Sequence, residues 1–299
     1  MKISRRRIIQ TAAAFGLIGT RGWTQTTAGF DGFSIVTLSD GHIDLPVDFL
    51  LGPGVSRDEV APILDAAGIG DSVQNPINVT LMRRGDEVIL FDAGSGPDFV
   101  PGAGLLPDAL SAAGVAPDQV THVLLTHAHP DHIWGVLDDF DDLLFPNAQY
   151  FMSRAEHDYW TDPEVIDSLP EDRVAFAVGA ARRIEAISDA LTLFDDDEEI
   201  LPDIKALPTK GHTPGHTSFL VRDEIVVVGD AIGNAHIAFA RPELFAGADQ
   251  DPEQAAESRK ILLAMLADKD LPMIGYHLPN GGIGRARRDG DAFVFDQDE

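Results

Sequence analysis

Short apolar runs, each closed by polar or glycine-rich residues, recur along the whole chain. Residues 33–38, 77–83 and 87–91 predict strands, the latter two meeting at Gly85-Asp86, a hairpin-turn pair. Residues 120–125, 204–208, 218–221, 225–228 and 273–276 have the same short, strand-like apolar character. Over 58–67, 106–113, 171–187 and 252–266 the apolar positions instead recur at helical spacing, and Gly68 and Gly114 stop the first two. Residues 131–137, opening just after Pro130, predict one more helix. Strands and helices interleaved in this way predict an α/β fold.

The polar residues that follow these runs carry the chemistry. Thr126-His127-Ala128-His129-Pro130-Asp131-His132 places three imidazoles and a carboxylate within six residues, directly after the run 120–125. A solvated polar loop is the plain alternative, but these are the ligands that suit zinc and related cations. His127 and His129 are two apart, so on extended backbone they face one way. Asp131 and His132, at the start of a helix, leave in another direction. Four ligands pointing two ways suit two cations better than one, and two cations need about six to eight protein ligands. Further candidates follow later runs: His212 and His216 in Gly211-His212-Thr213-Pro214-Gly215-His216-Thr217, Asp230 after 225–228, and His277 after 273–276. Strand ends of this kind are where α/β sheets place their sites.

On these residues the chain resembles the metallo-β-lactamase superfamily, over residues 30–290 or so. The family pattern is HxHxDH, a PGHT histidine, an aspartate after a strand and a late histidine. It falls here on His127, His129, Asp131, His132, His216, Asp230 and His277. Phe239-Ala240-Arg241-Pro242, Asp249-Gln250-Asp251 and His277-Leu278-Pro279 with Gly282-Ile283-Gly284 look like the methyl parathion hydrolase-like branch. The resemblance implies a four-layer αββα sandwich and a binuclear metal-dependent hydrolase. One divalent cation, with zinc the first choice, would be held by His127, His129 and His216. A second would be held by Asp131, His132 and His277, with Asp230 bridging the two. A hydroxide shared by the metals would attack an ester, lactone or phosphotriester, and Asp131 would hold that nucleophile or carry its proton. β-Lactam hydrolysis and a metal-binding protein without catalytic activity are the alternatives. Redox members usually carry glutamate at the position of His129, which favours hydrolysis.

Three neighbouring residues receive expectations of their own. Many members have two glycines where this chain has Trp134-Gly135, so Trp134 is expected to form an apolar wall of the substrate pocket. His236, six residues past Asp230, is expected at the pocket mouth, as a substrate contact or proton shuttle, with simple packing as the alternative. His212 shares the Gly-His-Thr setting of His216 and is read as a support that hydrogen-bonds a ligand or fills a turn. His122 reads as structural, and His42 and His157 as surface or packing residues.

Composition narrows the partners. Lys and Arg number 22 against 49 Asp and Glu, a net charge of −27, the opposite of a nucleic-acid-binding balance. The expected partner is a small-molecule substrate, uncharged around its scissile group and partly apolar, because a negative field repels anions. An anionic β-lactam would need a local cation, which Arg241, Arg285, Arg287 or Lys210 could supply. At 299 residues and 44% hydrophobic the chain can bury a large core, and without cysteine it has no disulfide or thiol chemistry. The acidic run 195–199 reads as a solvated turn.

Residues 1–28 read as a signal segment. Arg5-Arg6-Arg7 leads into 8–19, which is too short to span a bilayer, and the paired arginines resemble a twin-arginine export signal. The expected organisation is a signal over 1–28 and a hydrolase domain over 29–299. The product would be periplasmic or secreted, with no stable membrane anchor after signal removal, and a homodimer stays open. Loss of 1–28, with five basic residues and no acid, takes the charge from −27 to −32.

Overall fold

The computed structural model describes residues 26–30, 32–169 and 171–297. Its strands form two seven-stranded sheets, each in sequential order. The first contains β1 (Thr26–Phe30), β2 (Phe33–Pro46), β3 (Ser72–Arg84), β4 (Glu87–Phe91), β5 (His122–Leu124), β6 (Gln149–Ser153) and β7 (Leu191–Phe194). The second contains β8 (Glu199–Leu201), β9 (Ile204–Pro208), β10 (Thr217–Val221), β11 (Ile225–Gly229), β12 (Pro272–Gly275), β13 (Ile283–Asp289) and β14 (Ala292–Asp296). Pairing is antiparallel from β1 to β4 and parallel from β4 to β7. In the second sheet only β11 and β12 pair in parallel. The chain crosses between sheets through the acidic residues 195–198, which are exposed as a solvated turn should be.

The described helices are α1 (Arg57–Ala66), α2 (Leu106–Ala112), α3 (Pro130–Ile133), α4 (Arg154–Thr161), α5 (Pro163–Ser168), α6 (Glu171–Ala186), α7 (Ile237–Ala240) and α8 (Pro252–Asp268). The two-residue period of the strands builds the layers. Phe91, Leu124, Phe151 and Phe194 of the first sheet meet Ala206, Phe219, Val227 and Ile274 of the second in a core between the sheets. Their sequence neighbours Leu90, Val123, Tyr150 and Met152 face outward onto Leu110 of α2, Trp160 of α4 and Ala180 of α6. On the other side Val226, Val228 and Met273 pack against Leu262, Leu263 and Leu266 of α8. Helices, sheet, sheet and helices therefore stack as the expected αββα sandwich.

Three segments depart from the sequence reading. β2 and β3 extend well past 33–38 and 77–83, pairing from His42 and Pro76 out to Pro46 and Ser72 beyond a bulge at Ser39–Gly41. The polar Ser39-Asp40-Gly41 hides this extension from a periodicity argument. It is held by the buried carboxylate of Asp40, which accepts the backbone N–H of Ser95 and Leu106, each at 2.7 Å. Gly41 (φ +103°) is required there, since a Cβ would come within 1.9 Å of the Gly102 carbonyl. The helix expected over 131–137 is the single turn α3 followed by a 3₁₀ turn, Trp134–Val136. Finally, a boundary at residue 28 divides β1, in which Ala28 is buried. The rest of the expected signal, residues 1–25, lies outside the described residues. No helix among the described residues is long and apolar enough to cross a membrane.

Candidate metal centre

Parallel pairing brings the C-terminal ends of β4, β5 and β6 to one edge of the first sheet, and that of β11 and β12 to the adjoining edge of the second. The Thr217 N–H donates to the Thr126 carbonyl at 3.0 Å and ties the two edges together. Three groups of ligand atoms gather there: His127, His129 and His212; Asp131, His132 and His277; and His127, His132 and Asp230. Within each group the atoms lie within 4.8 Å of one another, near the roughly 4 Å span of ligands around one zinc-sized ion. Asp230 stands between the first two groups. Its Oδ2 is 3.4 Å from His212 Nε2 and 3.3 Å from His277 Nε2, and its Oδ1 is 3.3 Å from His132 Nε2.

The donor set fits a pair of cations. Nε2 of His127, of His129 and of His132 and Oδ1 of Asp230 are buried without any hydrogen-bond partner; the 3.3 Å approach of the last two lacks hydrogen-bond alignment. Leaving such groups unmet costs about 1–3 kcal/mol each, and a cation among His127, His132 and Asp230, one of the three groups, would meet those three. Burial, reinforced by the neighbouring imidazoles, holds His127 and His129 well below the usual imidazole range, so their lone pairs are available. Burial would lower His277 as well, but Asp230 and Asp131 outweigh it and raise it to about 10. The carboxylates thus favour positive charge at this position, which is what a divalent ion supplies.

Around the ligands lies a shell of oriented partners. Asp92 Oδ2 meets His132 Nδ1 at 2.9 Å, while its Oδ1 accepts from the Thr126 N–H at 2.7 Å. Asp249 Oδ1 meets His212 Nδ1 at 3.0 Å, and its Oδ2 accepts from Arg259 at 2.7 Å. The Pro76 carbonyl faces His277 Nδ1 at 2.7 Å. Such contacts fix which ring nitrogen is left for a metal. The Tyr276 hydroxyl donates to the Asp131 carbonyl at 2.6 Å while its ring stacks on His132. Glu156, wholly buried, accepts from Ala128 N, Trp160 Nε1, Thr213 Oγ1 and Gly215 N, so one carboxylate clamps both histidine loops. Of these partners Asp92 carries the same signal as Asp230, an acid immediately after an apolar run. Glu156 carries none.

His216 is a correction. Its Nε2 accepts the backbone N–H of Asp230 at 2.9 Å, and its Nδ1 meets Thr209 Oγ1 at 2.9 Å. Acceptance at Nε2 puts the ring proton on Nδ1, and burial lowers this imidazole to about 3, so neither nitrogen keeps a lone pair for a cation. His212 takes the place expected of it, with Nε2 at 2.9 Å from His129 Nδ1. The two histidines exchange roles because Asp249 reaches one and the backbone of Asp230 reaches the other. The other expected positions, His127, His129, Asp131, His132, Asp230 and His277, all lie in the cluster.

The pocket residues need correction too. A cavity of about 410 Å³ opens onto His129, Asp131, His212, Asp230 and His277, with apolar walls from Ile43, Leu45, Phe49, Phe99, Phe176, Ile237 and Phe245. Trp134 does not line it. The 3₁₀ turn aims this side chain at α6, where the Arg183 guanidinium lies 4.4 Å over its ring and a Cβ on Gly179 would collide with it. His236 lines a smaller pocket of about 60 Å³ behind Asn234 and His277. Arg241, Arg285, Arg287 and Lys210 pair with surface acids and stay outside the main cavity.

Known proteins share this architecture. The chain is similar to the crystal structure of the hydrolase AbOPH in the beta lactamase superfamily, at 28% identity and a TM-score of 0.85 over 94% of this chain and 99% of that one. It is likewise similar to AidC, a dizinc quorum-quenching lactonase in complex with a product, N-hexanoyl-L-homoserine, at 28% identity and a TM-score of 0.86 over 93% and 98%. The uncharacterized protein YobT of Bacillus subtilis (strain 168) is 29% identical over 199 residues, 62% of this chain and 78% of that one. The model of the metallo-beta-lactamase superfamily matches residues 73–277, a span that holds the whole ligand cluster. The chain belongs to that superfamily and is a hydrolase of its fold.

Proposed function

We propose that the chain hydrolyses neutral lactones, esters or phosphotriesters that carry an apolar acyl or aryl group. The observation that carries this reading is the apolar cavity opening directly onto the His and Asp cluster. His127, His129 and His212 would hold one cation, Asp131, His132 and His277 the other, and Asp230 both, with zinc the first choice for this donor set. When bound, the two ions supply Lewis-acid polarisation and lower the pKa of a water near neutrality.

The remaining work falls to the protein. Phe49, Phe99, Phe176 and Phe245 bury the apolar group and exclude water from it. Burial opposes ionisation of Asp131, but His132 and His277 outweigh it and keep its carboxyl below the usual range. Asp131 is therefore ionised and placed to take a proton from the nucleophile and pass it to the leaving group. The twin-arginine segment makes the enzyme an exported one, and Arg5→Lys with Arg6→Lys should retain it in the cytoplasm.

The lactonase AidC and its bound product support the lactone end of this range. One observation favours β-lactams instead: Arg173 lines the cavity, and among the described residues its side chain hydrogen-bonds to the Gly247 carbonyl at 3.5 Å and pairs with no carboxylate, which leaves a cation for a substrate carboxylate. A panel of acyl lactones, aryl esters, paraoxon and nitrocefin on protein of measured metal content decides between them. The expected result is a kcat/KM for a neutral substrate well above that for nitrocefin. The reverse order would overturn the reading.

A further inference from the structure

We infer that Asn234, with Asn75 beside it, is a specificity-determining residue that binds an acceptor oxygen next to the scissile group; this rests on the proposed function. Both side chains line the main cavity and the smaller pocket, together with His277, so they stand where the two spaces meet beside the cluster. Both are buried, at 8% and 6% exposure. The free ends of both amides open to the cavity and are not sealed from solvent, so a substrate acceptor can take the place of water there.

The orientation of Asn234 is settled by its own bonds. Its Oδ1 accepts from the backbone N–H of His236 and of Ala238, each at 3.1 Å. Both partners are donors, so the end that meets them is the oxygen and the other end is NH2. Neither N–H of Nδ2 has a partner among the described residues, and each can donate only to an acceptor. Asn75 makes no side-chain hydrogen bond among the described residues. It precedes Pro76, whose carbonyl faces His277 Nδ1 at 2.7 Å, so its backbone is anchored to the cluster. Asn234 is a fixed donor and Asn75 an adaptable partner of either sense.

Among the cavity's other polar side chains, Asp249 and Arg259 already engage each other at 2.7 Å. The amides are therefore the neutral groups that can select among uncharged substrates. A substrate with a second acceptor oxygen next to the scissile group, such as an amide carbonyl, gains a hydrogen bond here, and an alkyl analogue that has only the scissile carbonyl does not.

The test uses metal-loaded full-length protein and a matched pair: an N-acyl amino lactone, and an alkyl lactone of equal length without the amide. Asn234→Asp keeps both capping bonds and removes both donors. It should lower kcat/KM for the amide-bearing lactone by about tenfold and leave the alkyl lactone within about twofold, with unchanged metal content. Asn234→Ser, which keeps a capping oxygen, should show the same split. Calorimetric binding of the corresponding non-hydrolysed γ-lactams gives the comparison without turnover. If wild type hydrolyses neither lactone, the lactone part of the proposed function fails, while the lactam pair still reads the amide preference. Equal losses for both members of the pair, or no loss for either, would overturn the inference.

Discussion

Two loops deliver the histidines, and they teach different lessons. In the loop after β5, His127, His129 and His132 lie among six successive residues, and local spacing alone sends them to the cluster. In the loop between β9 and β10, His212 and His216 sit in identical Gly-His-Thr settings yet do opposite things. His212 presents Nε2 to the cluster because Asp249, 37 residues on, occupies its Nδ1. His216 spends Nε2 on the backbone of Asp230 and carries its proton on the Thr209 side. Whether an imidazole is a ligand or a brace is decided by where its second nitrogen goes, and that is a tertiary fact.

The comparison breaks most sharply by substitution in the second loop. His212→Ala should remove metal from its group and cost well over 100-fold in kcat/KM, whereas His216→Ala should keep most of the metal and cost about 10–100-fold. Elemental analysis and kinetics on the two variants check this, and the reverse order would restore His216 as the ligand.

In the first loop, Asp92→Asn sharpens the same idea. Asparagine tolerates the left-handed backbone at this position (φ +68°) but offers only one oxygen to Thr126 and His132. Affinity for a cation at His132 should fall about 10–100-fold with the fold intact, measured by competition with a chelator.

Glu156→Gln couples the loops. Its four donors now meet one oxygen and one NH2, and each donor left facing the amide costs about 1–3 kcal/mol. Denaturant unfolding should show that loss, and both histidine groups should weaken for metal together.

The smallest effect is at Asp40, away from the cations. Burial pushes its carboxyl up from 3.8 to about 6, although it accepts two backbone N–H bonds. The folded state therefore holds the proton more tightly than the unfolded chain. The stability this contributes is complete below pH 4 and is lost by about pH 6, at most roughly 3 kcal/mol. Relative to wild type, Asp40→Asn should gain stability across that interval, whatever constant penalty it carries. Parallel pH profiles of Tm would contradict the assignment.

Legibility followed the range of the forces involved. The strand at β4, the helices α1, α2, α6 and α8 and the HxHxDH loop are written in local periodicity and spacing, and they stand where the sequence puts them. The far halves of β2 and β3 were invisible, since Ser39-Asp40-Gly41 breaks the apolar alternation and its partner amides come from residues 95 and 106. Trp134 was misread because proximity to His132 in sequence says nothing about which way a 3₁₀ turn aims a ring. Glu156 carries no signal in the sequence, because the donors that give it a role come from Ala128 and Gly215 in two other loops.

The central claim is the division of labour between His212 and His216. Anomalous diffraction from crystals of the zinc-loaded protein tests it most directly. Two peaks per chain are expected, one with His127, His129 and His212 within about 2.0–2.2 Å, the other with Asp131, His132 and His277, and Asp230 touching both. A peak bonded to His216 Nε2 in place of His212, or a single peak in fully active protein, would contradict the account.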